Sequence, residues 1–131
     1  MNFDEIKQQK GYVGYILSNE SRRNLLNIFP PKFSKVIAHH VTTEFGVTAD
    51  SIPEPVKTAR VVGYAPGESI QALVIEIDGT TKRTDGGTYH ITWSLDPASG
   101  SKPKDSNDLL AHGYEEVTQY AIKLTPKFFP F

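Results

Sequence analysis

The stretch GYVGYILS (11–18) alternates: Val13, Tyr15 and Leu17 fall on one side of an extended chain, Tyr12, Gly14 and Ile16 on the other, which predicts a strand. It runs into SNESRRNLLNIFPP, where Ser18 or Asn19 can cap a helix reaching about Phe29, closed by Pro30 and Pro31. A second strand is expected over SKVIAHHVT (34–42), followed by the turn-rich loop GVTADSIPEPVK. TARVVGYAP (58–66) and SIQALVIEID (69–78) read as a hairpin turning at Pro66-Gly67. After the polar loop GTTKRTDGG (79–87) comes the strand TYHITWSL (88–95). The loop DPASGSKPKD (96–105) then leads to a short helix, SNDLLAHG, with Ser106 as its cap and Gly113 ending it. EEVTQYAIKLT (115–125) is the last expected strand, and PKFFPF an apolar tail that must dock or lie exposed. About six strands and two helices with antiparallel connections make an α+β domain. No internal repeat or linker divides it, so a single domain over 1–131 is expected.

Composition narrows the class without altering that picture. A chain of 131 residues can bury a core on its own. It has no cysteine, which removes disulfides, thiolate metal sites and a cysteine nucleophile and fits a reducing compartment. The segment MNFDEIKQQKG is too polar for a secretory signal, and no apolar run approaches the ~18–20 residues that cross a bilayer. A cytoplasmic location without membrane attachment is the expectation (the host cytoplasm for a viral chain). With 14 basic and 15 acidic residues there is no broad field for a polyanion, which argues against long nucleic acid and leaves room for a local basic pocket.

Two strands carry the same chemistry. KVIAHHVTTEFG (35–46) contains His40 followed at the second position by Thr42, and YHITWSL (89–95) contains His90 followed by Thr92. Residues i and i+2 of a strand share a side, so each pair offers an imidazole and a hydroxyl together. Ile37, His39 and Val41 are expected on the opposite, core-facing side of the first strand; Tyr89, Ile91 and Trp93 take that side of the second. Imidazoles move protons near neutral pH, so two of them across a phosphodiester can serve as base and acid. The threonine hydroxyls can donate to the non-bridging phosphate oxygens, a scheme that needs no metal or other cofactor. The same pattern fits two ordinary half-buried strands with polar outer faces.

The paired HVT and HIT strands, with the GYVGYIL strand and the helix after it, resemble the LigT-like 2H phosphoesterase superfamily, whose members carry two H-x-[ST] motifs across a central cleft. FPPKF…VIAHHVTTEFG and KPKDSNDLL are similar to small phage and RNA-repair-associated members, including anti-CBASS nucleases that degrade cyclic oligonucleotide signals. The resemblance spans about residues 11–125. It implies a bilobal α+β fold, two antiparallel sheets around a central cleft with flanking helices, and metal-independent phosphodiester chemistry by His40, Thr42, His90 and Thr92. The motifs lie closer together than is typical of the family, which implies trimmed substrate-selecting loops. The implied substrate is a small nucleotide, either a cyclic oligonucleotide or a 2′,3′-cyclic phosphate, including one at an RNA end. The rival is a non-catalytic sponge that sequesters such a nucleotide; a plain interaction domain using FFPF is a third possibility.

Other residues are candidates for binding. Tyr12 can stack on a base if its face lines the cleft, although packing is the commoner job of such a ring. Lys102, Lys104, Ser106 and Asn107 can meet phosphate, helped by the N–H groups of the SNDLL helix start, or be a solvated loop and cap. His39 is expected to pack in the core, and His112 to sit harmlessly at a helix end. A zinc site is disfavoured, since two-histidine sites add a third protein ligand. GTTKRTDGG lacks the glycine spacing of a phosphate-binding loop and is expected to be a loop beside the cleft.

Overall fold

The computed structural model describes residues 9–131. Among these residues, eight strands form two antiparallel sheets with two short helices, an α+β architecture. The smaller sheet has β1 (Gly11–Leu17) between β3 (His40–Val47) and β8 (Leu124–Pro130). The larger runs in the order β2 (Lys35–Val36), β6 (His90–Leu95), β5 (Ile70–Ile77), β4 (Ala59–Pro66), β7 (Glu115–Ala121). Among the described residues no helix is long and apolar enough to cross a membrane.

One apolar cluster joins the sheets: Tyr15 and Leu17 of β1, Val41 of β3 and Leu124 of β8 meet Val61, Leu73, Ile75, Ile91 and Trp93 of the larger sheet. Helix α1 (Asn19–Ile28) adds Leu25 to it and starts as expected, Ser18 accepting the Ser21 N–H at 3.1 Å. A buried polar node then fastens the chain after α1 to the larger sheet. Fully buried Gln71 takes the Lys32 N–H and the Ser94 hydroxyl on Oε1, and its Nε2 donates to the Pro30 carbonyl and the Tyr64 hydroxyl. Every polar atom of that amide is paired, which removes the cost of burying it.

Three expectations are corrected. The single strand over 34–42 is two strands in different sheets. Lys35 and Val36 pair with β6, Ile37 and Ala38 still donate to the Trp93 and Thr92 carbonyls, and His40 already pairs with β1. The break is at Ala38, whose φ of +45° turns the backbone out of extended geometry and resets the alternation. The expected strand over 115–125 likewise divides into β7 and β8. The apolar tail is therefore neither loose nor merely docked: residues 124–130 pair along the whole of β1. Ser106, finally, is not a cap. It is the first residue of α2 (Ser106–Ala111), fully buried, with Asp105 at the cap position. Gly113 does follow the helix in a left-handed conformation, φ +104°.

Candidate active site

The crossing at Ala38 places the site. His40 and Thr42 of β3 face His90 and Thr92 of β6 across a cavity of about 530 Å³ between the sheets. Tyr12, Ile37, Phe45, Arg83, Lys104 and Asn107 also line it. His90 sits on an interior strand, but β3 is an edge of its sheet, not a central strand. Pairing of β1 with β3 slips at Thr43, between Val13↔Glu44 and Gly14↔Thr42. This bulge breaks strict alternation, so Thr42, Thr43, Glu44 and Phe45 all reach the cavity wall.

The two imidazoles are held differently. His90 Nδ1 lies 2.7 Å from the Thr88 carbonyl oxygen, which can only accept, so the proton is on Nδ1 and Nε2 is the nitrogen left for the cavity. Burial lowers the His90 pKa, the Thr88 bond opposes this, and the Arg83 charge adds to the lowering. His40 Nδ1 faces another imidazole, His39 Nδ1, at 3.0 Å. Its pKa is lowered to about 4, first by burial and then by the charges of His39 and His90. Aromatic rings pack around it: Tyr12 at 5.4 Å and Phe129 at 5.0 Å between centroids.

The threonines also differ. Thr92 is buried, and its hydroxyl donates to the Pro103 carbonyl at 3.2 Å and pairs with Ser106 Oγ at 2.8 Å. It ties the strand to the start of α2, and Ser106 belongs to this tie, not to a phosphate contact. Thr42 stands on the cavity wall beside His40.

The remaining candidates divide. Tyr12, Lys104 and Asn107 line the cavity; Lys102 does not, and its backbone N–H donates to Asp105 at 2.8 Å. His112 ends α2 in solvent with Nδ1 2.9 Å from the Asp108 carbonyl. His39 is not a core residue: the turn at Ala38 leaves it exposed, buries Ala38 in its place and turns Ile37 to the cavity. Among the described residues no group of three or more histidine, aspartate and glutamate side chains is placed to hold a metal ion.

Arg83 was missed. Its side chain is only 12% exposed, held by Asp85 at 3.0 Å and Asn107 at 3.2 Å, so a guanidinium is fixed at the cavity wall beside His90. In sequence it is one of two adjacent cations, Lys82 and Arg83, in a glycine-rich loop, and only that loop's expected place beside the cleft hints at it. The Gly87 N–H, more than Arg83 itself, keeps the Asp85 carboxyl below its usual range and so ionised for this pairing. Nor does the sequence pattern single out Phe45, paired with Tyr12 beside the bulge, or Phe129 in the tail. No family model, curated protein or solved structure matches the chain.

Proposed function

We propose that the protein is a phosphodiesterase of the LigT-like 2H type, acting on a small nucleotide by two-histidine acid–base chemistry that requires no metal. One observation carries the reading: two His-x-Thr strands from separate sheets open onto one cavity that also holds a fixed guanidinium and a lysine. His90 Nε2 takes the proton of the attacking oxygen, water or a 2′-hydroxyl, as its new bond to phosphorus forms. His40 returns a proton to the departing oxygen as that bond breaks. Arg83, Lys104 and the Thr42 hydroxyl are available for the non-bridging oxygens, where charge concentrates.

Burial leaves both imidazoles neutral at pH 7, and an incoming phosphate anion offsets the cost of charging one of them. A cavity of this size suits a small nucleotide. Tyr12 already stacks on Phe129 at 4.8 Å and lies 6.0 Å from Phe45 in near-parallel planes. The ring open to a base is Phe45, 74% exposed. Degradation of a cyclic oligonucleotide signal in a phage's host cytoplasm is the biological setting this chemistry fits. The test is incubation with cyclic di- and trinucleotides and 2′,3′-cyclic mononucleotides, with EDTA present, products being read by mass. Cleavage at an unchanged rate in chelator is expected. A nucleotide bound tightly and recovered intact would make the protein a sponge.

A further inference from the structure

The contact between the two adjacent histidines has no place in the scheme above. Their Nδ1 atoms are 3.0 Å apart, with the rings edge to face at 79°. The His39 ring also sits edge-on to Phe129 at 5.9 Å. The backbone that creates the contact is held: Ala38 is at positive φ, its carbonyl accepts from Arg22 Nε at 2.9 Å, and the His39 carbonyl accepts from the Leu17 N–H at 2.9 Å. His39 is exposed to water while His40 lies between Tyr12, Phe129 and the cavity. We propose that His39 is a positioning residue for His40 that relays protons between solvent and the cleft. This rests on the phosphodiesterase reading.

Two nitrogens at that distance hold one proton between them. When His39 Nδ1–H donates, His40 Nδ1 accepts, and His40 carries its own proton on Nε2, ready to give to a leaving oxygen. As that proton departs, the shared proton crosses from His39 to His40 Nδ1, and His39 Nε2 takes up a proton from water, so both rings end neutral. Run backward, the same steps carry a proton from the cleft to solvent. Neither direction requires His40 to bear a full charge inside its aromatic surround. The other charged or titratable groups on the cavity wall are Tyr12, His90, Glu44, Arg83, Asp85 and Lys104, and Lys127 stands 5.7 Å over the Phe129 ring. His39 is distinct among them in touching His40 nitrogen to nitrogen.

The test is His39→Phe, which keeps a ring against Phe129 and removes the nitrogen. His39 is exposed, so the variant should fold; its amide spectrum checks this. In nitrogen-15 spectra of the resting wild type, His40 should titrate in more than one step. In the variant His40 should titrate in one step and at higher pH, having lost a charged neighbour. With 2′,3′-cyclic AMP and cyclic di-AMP as probes, kcat should fall about 10–100-fold, the scale of losing a histidine's orienting partner. KM should hold, and the alkaline limb of kcat/KM should move down to the His40 titration, because without the relay only protonated His40 can supply the leaving-group proton. His39→Asn, whose amide can pair with His40 but not ionise, should recover part of kcat and leave the limb displaced. An unchanged His40 titration, or an unchanged rate and pH profile, overturns the proposal. If the wild type cleaves neither probe, the enzymatic reading fails for these substrates and the spectra alone decide the pair.

Discussion

The four residues of the two motifs do not do four versions of one job. His40 and His90 reach the cavity, and replacing either by Ala should lower turnover by about 10²–10⁴-fold with the fold kept. Thr42→Ala should cost less, removing one phosphate contact while leaving proton transfer intact. Thr92→Ala belongs to a different class. It strips the partner from the fully buried Ser106 hydroxyl, and an unpaired buried polar group costs about 1–3 kcal/mol. Denaturant unfolding beside initial rates separates the two effects. A Thr92 variant of wild-type stability and no activity would mean that its hydroxyl serves the substrate after all.

Among the elements, the register of β3 against β1 positions the first histidine. That pairing is unusually close at Gly14, where an added Cβ would collide with the Val41 carbonyl and the Thr42 backbone. These are main-chain atoms that cannot swing aside. Gly14→Ala should destabilise the protein by at least the ~1–3 kcal/mol of an overpacked site and loosen β3, with faster amide exchange at 40–45 than in β5. Wild-type stability with unchanged exchange would refute this account of the edge strand.

Across the whole molecule, burial of the site links folding to pH. His40 is lowered from 6.5 to about 4 in the folded state, so between those values the unfolded chain binds the proton more readily. The stability tied to its neutral form is therefore complete above pH 6.5 and is lost as pH falls through about 4. The difference is on the order of 3 kcal/mol. The lowered His90 adds loss of the same sign. Urea midpoints measured from pH 7.5 to 4 should fall less steeply in His40→Asn than in wild type. Parallel curves would mean that His40 keeps an ordinary pKa.

What the amino-acid order settled by itself was local. Alternation marked β1, and apolar runs bounded by turn residues marked β4, β5 and β6 to within about two residues, because those strands lie against the core. The hydroxyl of Ser18 marked the start of α1. The i+2 rule put His90 with Thr92 and His40 with Thr42 on common sides, since each pair lies inside one strand. The rule failed for His39 and Ile37, because Ala38 takes a positive φ that nothing in its side chain requires. That conformation is imposed from outside, by β6 on one side, β1 on the other and the Arg22 bond to its carbonyl. The tail was opaque for a related reason: residues 124–130 become a strand only because β1 offers them an open edge. Arg83 and Phe129 reach the site through chain segments far from either motif. Hydrophobic period reports which face of an element is buried, but only packing in three dimensions decides which elements meet and which side chains share a cavity.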